Sequence, residues 1–425
     1  MKHDTTVKLF PCSFDGSVKI PPSKSLSHRA LICAALCKGE TLISNFVYSE
    51  DTLATIGALE SLGVKFEKKD KEVLVHGIKR LKLKSKEVYC NESGSTIRFI
   101  IPLFSLTGKE VHFVGESGLM KRPQSIYETM FKEDGNTFIQ NNNKIVVNGA
   151  IKARKYNVKG DVSSQFFSGL MFALPLLEED SEIIIDGILE SRSYVNLTID
   201  TLRHFGISIK ETSRGYFIQG NQSYKAKDYR VEGDYSQAAF YLVAGIIGGA
   251  VKVTDIPHES RQGDMAIIDI IQAMKGKVVF TENGYNALKS KTIGTTIDVQ
   301  NCPDLGPIIS LLAALSKGTT KIINAHRLRL KESDRIESTV STLKQLGANI
   351  KTEGDDIIIV GKKSLNGPGG VFDSYNDHRI AMMLGIASSR CEVPITIKQA
   401  DCINKSYPHF FKDLKSIGGR VTYEE

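Results

Sequence analysis

Hydrophobic and polar positions follow two rhythms along this chain, and the two recur together. In the first, apolar residues fall every three or four positions and a glycine closes the run. Examples are Asp51-Thr-Leu-Ala-Thr-Ile-Gly-Ala-Leu-Glu-Ser-Leu-Gly63 and Arg335-Ile-Glu-Ser-Thr-Val-Ser-Thr-Leu-Lys-Gln-Leu-Gly347. That spacing predicts an amphipathic helix ending on a left-handed glycine. Strand-like sequence follows most of these glycines: Val64-Lys-Phe, Ile207-Ser-Ile, Val278-Val-Phe, and Ile350-Lys-Thr ahead of Ile357-Ile-Ile-Val. The closing glycines are Gly63, Gly135, Gly206, Gly276, Gly347 and Gly418, spaced by 72, 71, 70, 71 and 71 residues. So little drift over six copies marks an internal repeat.

The second rhythm is almost wholly apolar, and it too occurs six times. It covers residues 25–37, 95–106, 165–177, 236–247, 306–315 and 377–388, with starts 70, 70, 71, 70 and 71 apart. A helix that is apolar all round is buried. Each unit therefore has one buried helix, one half-exposed helix and several strands to cover them. The six units are expected to form two similar α/β domains of three repeats each, with buried helices covered by β-sheets. The strand-like Val7-Lys-Leu-Phe10 precedes the first unit and is expected to pair in the C-terminal domain. That places crossovers near Ile20–Pro21 and Val231–Asp234, with residues 20–231 as one domain and residues 1–19 with 232–425 as the other.

A length of 425 residues suits two domains, and 41% hydrophobic with 24% charged residues excludes a disordered chain. No apolar run approaches the length of a membrane helix, and the start lacks a signal-like apolar core, so a cytoplasmic protein is expected. Seven cysteines without a CxxC pair or zinc spacing read as reduced thiols, with no metal site. No coiled coil or docking helix appears, so a monomer is expected. The balance of 55 basic and 48 acidic residues gives +7, a mild preference for anions. The segment Arg80-Leu-Lys-Leu-Lys-Ser-Lys86 alternates charge with leucine and reads as a strand with one wet face. Nucleic-acid binding would need cations interleaved with exposed aromatics, but the chain has no tryptophan and its aromatics fall mostly in the apolar helices.

The cations occupy helix ends instead. Helix N-termini carry partial positive charge and favour acidic residues. Here Lys24 and Arg29 flank the start of the first buried helix, Arg98 lies early in the second, and His378 and Arg379 open the sixth. Lys121 and Arg122 precede Pro123, a good first helical residue. Lys331 and Arg335 open the fifth amphipathic helix, and Lys405 precedes Ser406 and Pro408 in the sixth. Any one of these could be a surface ion pair. Their recurrence at equivalent positions points to a small ligand with several negative charges. Ser23, Ser25, Ser27, Ser163, Ser164, Gln165, Ser191 and Ser193 bring hydrogen-bonding side chains to the same ends, beyond what helix caps require. Two carboxylates break the pattern. Asp304, in Cys302-Pro303-Asp304-Leu305-Gly306-Pro307, is either a helix cap or a base kept ionised by neighbouring cations. Glu332 stands between Lys331 and Arg335, and Asp377 reads as a cap for the helix bearing His378.

With these motifs in hand, the chain resembles the enolpyruvate transferases, on the 5-enolpyruvylshikimate-3-phosphate synthase branch. The matches run nearly end to end: Pro22-Ser-Lys-Ser-Leu-Ser-His-Arg29, Asn91-Glu-Ser-Gly-Ser-Thr-Ile-Arg98, Gly118-Leu-Met-Lys-Arg-Pro123, Val162-Ser-Ser-Gln165, Pro303-Asp304, Arg329-Leu-Lys-Glu-Ser-Asp-Arg335, Tyr375-Asn-Asp-His-Arg379 and Asn404-Lys-Ser-Tyr-Pro408. The resemblance implies an inverse α/β barrel fold and transfer of the enolpyruvyl group of phosphoenolpyruvate to the 5-hydroxyl of shikimate 3-phosphate. It implies addition and elimination through a tetrahedral intermediate, closure of the two domains around the substrates, and no metal or organic cofactor. It assigns shikimate 3-phosphate to Lys24, Ser25, Arg29, Ser163, Ser164, Gln165, Ser191, Asp304 and Lys331. It assigns phosphoenolpyruvate to Lys24, Gly94, Arg122, Gln165, Arg335, Arg379 and Lys405. Asp304 would take the 5-hydroxyl proton, and Glu332 and Lys405, with His378 nearby, would handle protons at the methylene carbon and the leaving phosphate. The sister enzymes that use UDP-N-acetylglucosamine usually carry a reactive cysteine where this chain has Ser117.

Overall fold

Each of the six repeats builds a four-stranded sheet with the same internal order. The second shows the plan, and the computed structural model describes residues 5–424. Glu87–Tyr89 runs parallel to Val111–Val114, joined by the buried helix Gly94–Ser105. A parallel pair needs such a crossover, which is why the apolar helix falls between these strands. The amphipathic helix Ser125–Glu133 follows, and the hairpin of Thr137–Gln140 and Lys144–Asn148 then adds antiparallel to Val111–Val114. Along Lys144–Asn148 burial alternates, Ile145 and Val147 facing inward.

Three sheets are completed by strands distant in sequence. Asp15–Lys19 precedes the first buried helix, yet pairs parallel with Ala250–Thr254 of the fourth repeat. Tyr229–Arg230, preceding the fourth buried helix, pairs parallel with Gly39–Ser44 of the first. The strand Thr6–Phe10 lies between Ile395–Lys398 and Arg420–Glu424, with Val7 opposite both Ile397 and Tyr423, so it completes the sixth repeat.

The chain divides into an N-terminal unit, Pro22–Glu232, and a C-terminal unit formed by the segments ending at Pro21 and beginning at Gly233. The N-terminal unit begins two residues later, and ends one later, than the sequence suggests. Backbone bonds give the reason. Ile20 N donates to Thr254 O at 3.0 Å and Asp234 N to Pro21 O at 2.9 Å, which ties residues 20 and 21 to the C-terminal unit. Ser23 N donates to Glu232 O at 2.8 Å on the other side of the division.

Each unit has its own core around its apolar helices. These are Lys24–Ala35, Gly94–Ser105 and Ser164–Ala173 in the N-terminal unit, and Tyr235–Gly248, Gly306–Ala314 and His378–Ala387 in the C-terminal unit. In Gly94–Ser105 every residue but Ser95 is buried. The helix packs on Ser164–Ala173, where Phe99 meets Phe172 edge-on at 5.4 Å between centroids.

Three local expectations need correction. Five of the closing glycines have the left-handed φ, but in the fourth repeat Lys275 takes it at 65°. The helix there, Ala266–Ala273, ends one step earlier, and Gly276 is needed for another reason: a Cβ on it would lie 2.5 Å from Ile271 Cγ2. Arg80–Lys86 is not a ladder strand. Its backbone instead caps a helix end, Lys82 N and Lys84 N donating to Leu62 O and Ser61 O, with Leu81 and Leu83 against the core. Pro123 is not a first helical residue, because the helix begins at Ser125.

Candidate active site

In the N-terminal unit, helix beginnings carry the expected cations. Ser23 caps the first buried helix, whose first residue is Lys24, and Lys24 Nζ lies 2.7 Å from the Asp51 carboxylate. Arg29, one turn further, is 2% exposed. Its guanidinium donates to Thr198 Oγ1 at 2.8 Å, Ser25 O at 2.6 Å and Tyr194 O at 2.9 Å, and lies 5.0 Å over the Phe99 ring. Among the described residues it meets no carboxylate, and burial pushes its pKa down to about 10. It is therefore a cation held in a neutral socket at pH 7.

Ser163 caps the third buried helix, which opens with Ser164. Arg98 donates to Gln165 Oε1 at 2.9 Å and lies 5.0 Å over the Phe166 ring, while Gln165 Nε2 donates to Ser95 Oγ at 2.9 Å. Gly94 opens the second buried helix where space is tight: a Cβ there would lie 2.9 Å from the Arg122 guanidinium and 3.7 Å from Gln165 Oε1. Ser191 precedes the helix Arg192–His204 directly, and Ser193 and Tyr194 lie in its first turn. Ser191 is left-handed at φ 51° and its hydroxyl does not cap that helix.

The C-terminal unit is built differently. Asp304 lies in the turn before Gly306–Ala314 and does not cap it. Its carboxylate takes Arg335 at 2.8 Å, Arg379 at 2.9 Å and Lys331 at 3.1 Å. Burial alone would raise the Asp304 pKa, but Arg379, Lys331 and Arg335 outweigh it and hold the carboxyl well below the usual range. Arg335 also reaches Glu332 at 2.6 Å and Asp377 at 2.7 Å. Burial would lower its pKa, and the carboxylates of Asp377, Glu332 and Asp304 raise it instead. Asp377 caps the sixth buried helix by accepting from Arg379 N at 2.9 Å while it pairs with Arg335. Lys405 Nζ donates to Asn376 O at 2.6 Å. His378, beginning that helix, is 1% exposed, its Nδ1 3.9 Å from Asp377.

The structure thus groups Lys24, Ser25, Arg29, Gly94, Arg122, Ser163, Ser164, Gln165 and Ser191 in one unit, and Asp304, Lys331, Glu332, Arg335, His378, Arg379 and Lys405 in the other. Sequence reasoning missed the groups that hold these side chains: Asp51, Thr198, the Tyr194 carbonyl, the Asn376 carbonyl and Ser236, whose hydroxyl accepts from Arg379 at 3.0 Å. Their residue types carry no signal without the fold.

Six such repeats in two units, with cations at their helix ends, define an enolpyruvate transferase architecture. Two solved structures share it. EPSP synthase from Acinetobacter baumannii superposes with a TM-score of 0.83 at 26% identity, covering 99% of this chain and 100% of that one. The enolpyruvyl transferase NikO from Streptomyces tendae gives 0.79 at 13% identity, over 99% of each chain. Among sequences, the 3-phosphoshikimate 1-carboxyvinyltransferase of Clostridium novyi (strain NT) is 47% identical over 427 residues, and that of Clostridioides difficile (strain 630) 43% over 429, each with 98% of both chains covered. The family model for EPSP synthase (3-phosphoshikimate 1-carboxyvinyltransferase) matches residues 11–414. The chain belongs to the EPSP synthase family. It is an enolpyruvyl transferase of the shikimate pathway, acting on phosphoenolpyruvate and shikimate 3-phosphate.

Proposed function

We propose that enolpyruvyl transfer in this enzyme runs on Asp304 as the base, with cations at the helix ends holding the substrate anions. The observation that carries the reading is the clasp on Asp304 by Lys331, Arg335 and Arg379. A carboxylate so surrounded stays ionised, and it is a weak base while all three cations bear on it. Substrate phosphate and carboxylate groups that draw on those cations return its basicity where a hydroxyl must lose its proton.

In the addition step the 5-hydroxyl of shikimate 3-phosphate gives its proton to Asp304, and the oxygen bonds to C2 of phosphoenolpyruvate. The methylene carbon gains a proton from Glu332 or Lys405. In the elimination step the bond from C2 to the phosphate oxygen breaks, phosphate leaves, and the methyl carbon returns a proton. Lys24, Ser25, Arg29, Ser163, Ser164, Gln165, Ser191, Asp304 and Lys331 hold shikimate 3-phosphate. Lys24, Gly94, Arg122, Gln165, Arg335, Arg379 and Lys405 hold phosphoenolpyruvate. His378, buried at the start of its helix, supports the Asp377–Arg379 segment and stands near the proton transfers.

Seven free cysteines and no helix long and apolar enough to cross a membrane, among the described residues, support a cytoplasmic setting. A monomer is the assembly proposed. The test is phosphate release by the purified protein. Release that needs both phosphoenolpyruvate and shikimate 3-phosphate supports the reading, and silence with both overturns it.

A further inference from the structure

The N-terminal unit contains a buried chain of hydrogen bonds that the transfer reaction does not use. His28 Nδ1 lies 2.7 Å from Thr55 Oγ1, which lies 2.7 Å from Thr96 Oγ1, which lies 2.7 Å from Ser93 Oγ. Ser93 Oγ in turn accepts from Thr96 N at 3.1 Å and caps the second buried helix. No member is more than 1% exposed. The four residues come from three helices: His28 lies in the second turn of Lys24–Ala35, Thr55 midway along Glu50–Glu60, and Ser93 and Thr96 at the start of Gly94–Ser105. The first turns of the same three helices present Lys24, its partner Asp51, and Gly94.

Counting protons fixes the direction of the chain. If Thr96 donates to Ser93, it must accept from Thr55. Thr55 has then spent its one proton and must accept from His28, so the imidazole carries its hydrogen on Nδ1. His28 Nε2 is buried with no hydrogen-bond partner among the described residues. A bare lone pair there is tolerable, whereas the reverse chain would leave a buried N–H with nothing to receive it, which is the more costly defect. The ring is kept uncharged first by burial, then by the charges of Lys24 and Arg29, which hold its pKa well below the usual histidine range.

We propose that His28, as its Nδ1–H tautomer, is a positioning residue that sets the mutual register of the helix beginnings bearing Lys24, Asp51 and Gly94, acting through Thr55 and Thr96. The inference rests on the proposed role of Lys24 and Gly94 in holding phosphoenolpyruvate. Among the described residues the His28 ring hydrogen-bonds to Thr55 and to neither of them. It acts only through the hydroxyl chain.

The test combines nitrogen-15 NMR of histidine-labelled wild-type protein with steady-state kinetics of four variants. The His28 signal is expected to show a protonated Nδ1 and a bare Nε2 at neutral pH. The Nε2–H tautomer overturns the proposal, and this reading does not depend on turnover. His28→Leu and Thr55→Val break the chain and are expected to lower kcat/KM for phosphoenolpyruvate about tenfold, the scale of one buried hydrogen bond. His28→Asn keeps an N–H near the Nδ1 position and Thr55→Ser keeps the hydroxyl, so both should stay within about threefold of wild type. Wild-type kinetics in His28→Leu and Thr55→Val, or equal losses in all four, overturn the proposal. A wild-type enzyme that releases no phosphate overturns the functional reading instead, so the two failures are distinct.

Discussion

The two units solve the same problem, a set of cations at the ends of buried helices, by opposite means. In the C-terminal unit Arg335, 1% exposed, has three carboxylates around it: Asp304, Glu332 and Asp377. In the N-terminal unit Arg29, 2% exposed, has a threonine hydroxyl, two backbone carbonyls and the face of Phe99. The first arrangement neutralises charge within the fold. The second leaves charge available, since neutral acceptors satisfy the N–H groups without cancelling the field. A strongly anionic ligand gains more from a cation whose charge is not already matched. On the proposed roles, Arg29 in its neutral socket would attract an anion, and the C-terminal cluster would keep Asp304 and its cations in a fixed relation for proton transfer.

The largest effect expected is on the base. Asp304→Ala should reduce turnover by about 10²–10⁴-fold, the range of general-base catalysis, while shikimate 3-phosphate still binds. Calorimetric titration beside the phosphate-release assay separates the two, and unchanged turnover would remove Asp304 from the role. The next effect contrasts the arginines. Arg335→Met leaves three carboxylates without their shared cation and should lower stability by about 3–5 kcal/mol, whereas Arg29→Met should change it by about 1 kcal/mol or less. Arg29→Met should instead raise the KM for shikimate 3-phosphate. Differential scanning calorimetry of both variants checks the contrast, and equal destabilisation would erase the distinction between the units.

A third effect depends on pH. Because its folded pKa is depressed, Asp304 contributes stability that is fully present above the unfolded value of about 4 and is lost as pH falls through the folded value. Wild type should therefore melt above Asp304→Asn by a constant margin at pH 5–7, and the margin should close in stronger acid. A margin that widens on acidification would mean that the cations do not hold the carboxylate ionised.

Much of this architecture is legible in the chain because each repeat obeys local rules. The buried helices begin within one residue of the apolar runs that predict them, since being apolar on every side leaves no other place for a helix. What is not legible depends on closure. Nothing local in Asp15–Lys19 or Tyr229–Arg230 shows that each completes the sheet of a repeat far away in sequence. Arg80–Lys86 has the alternation of a strand but finds a helix end rather than a strand as its neighbour. The cations were legible as exceptions to helix-dipole preference. Their holders were not: Asp377 reads as a cap and is one, but its pairing with Arg335, 42 positions away, exists only in the fold.

The smallest effect tests the N-terminal socket at its tightest point. Gly94 is the first residue of its helix, and its φ does not demand glycine, so the need is one of space. A methyl group built there would lie 2.9 Å from the Arg122 guanidinium, and that guanidinium is the end of a flexible side chain that can retreat. Gly94→Ala should therefore fold normally but displace Arg122 by a few tenths of an ångström. Arg122 is proposed to hold phosphoenolpyruvate and not shikimate 3-phosphate. The KM for phosphoenolpyruvate should rise by about three- to tenfold, on the scale of one weakened charge-assisted hydrogen bond, with the KM for shikimate 3-phosphate unchanged. Initial rates with each substrate varied in turn decide it. A parallel rise in both constants would mean that the methyl group disturbs the whole helix end, and the division of labour proposed within this unit would have to be redrawn.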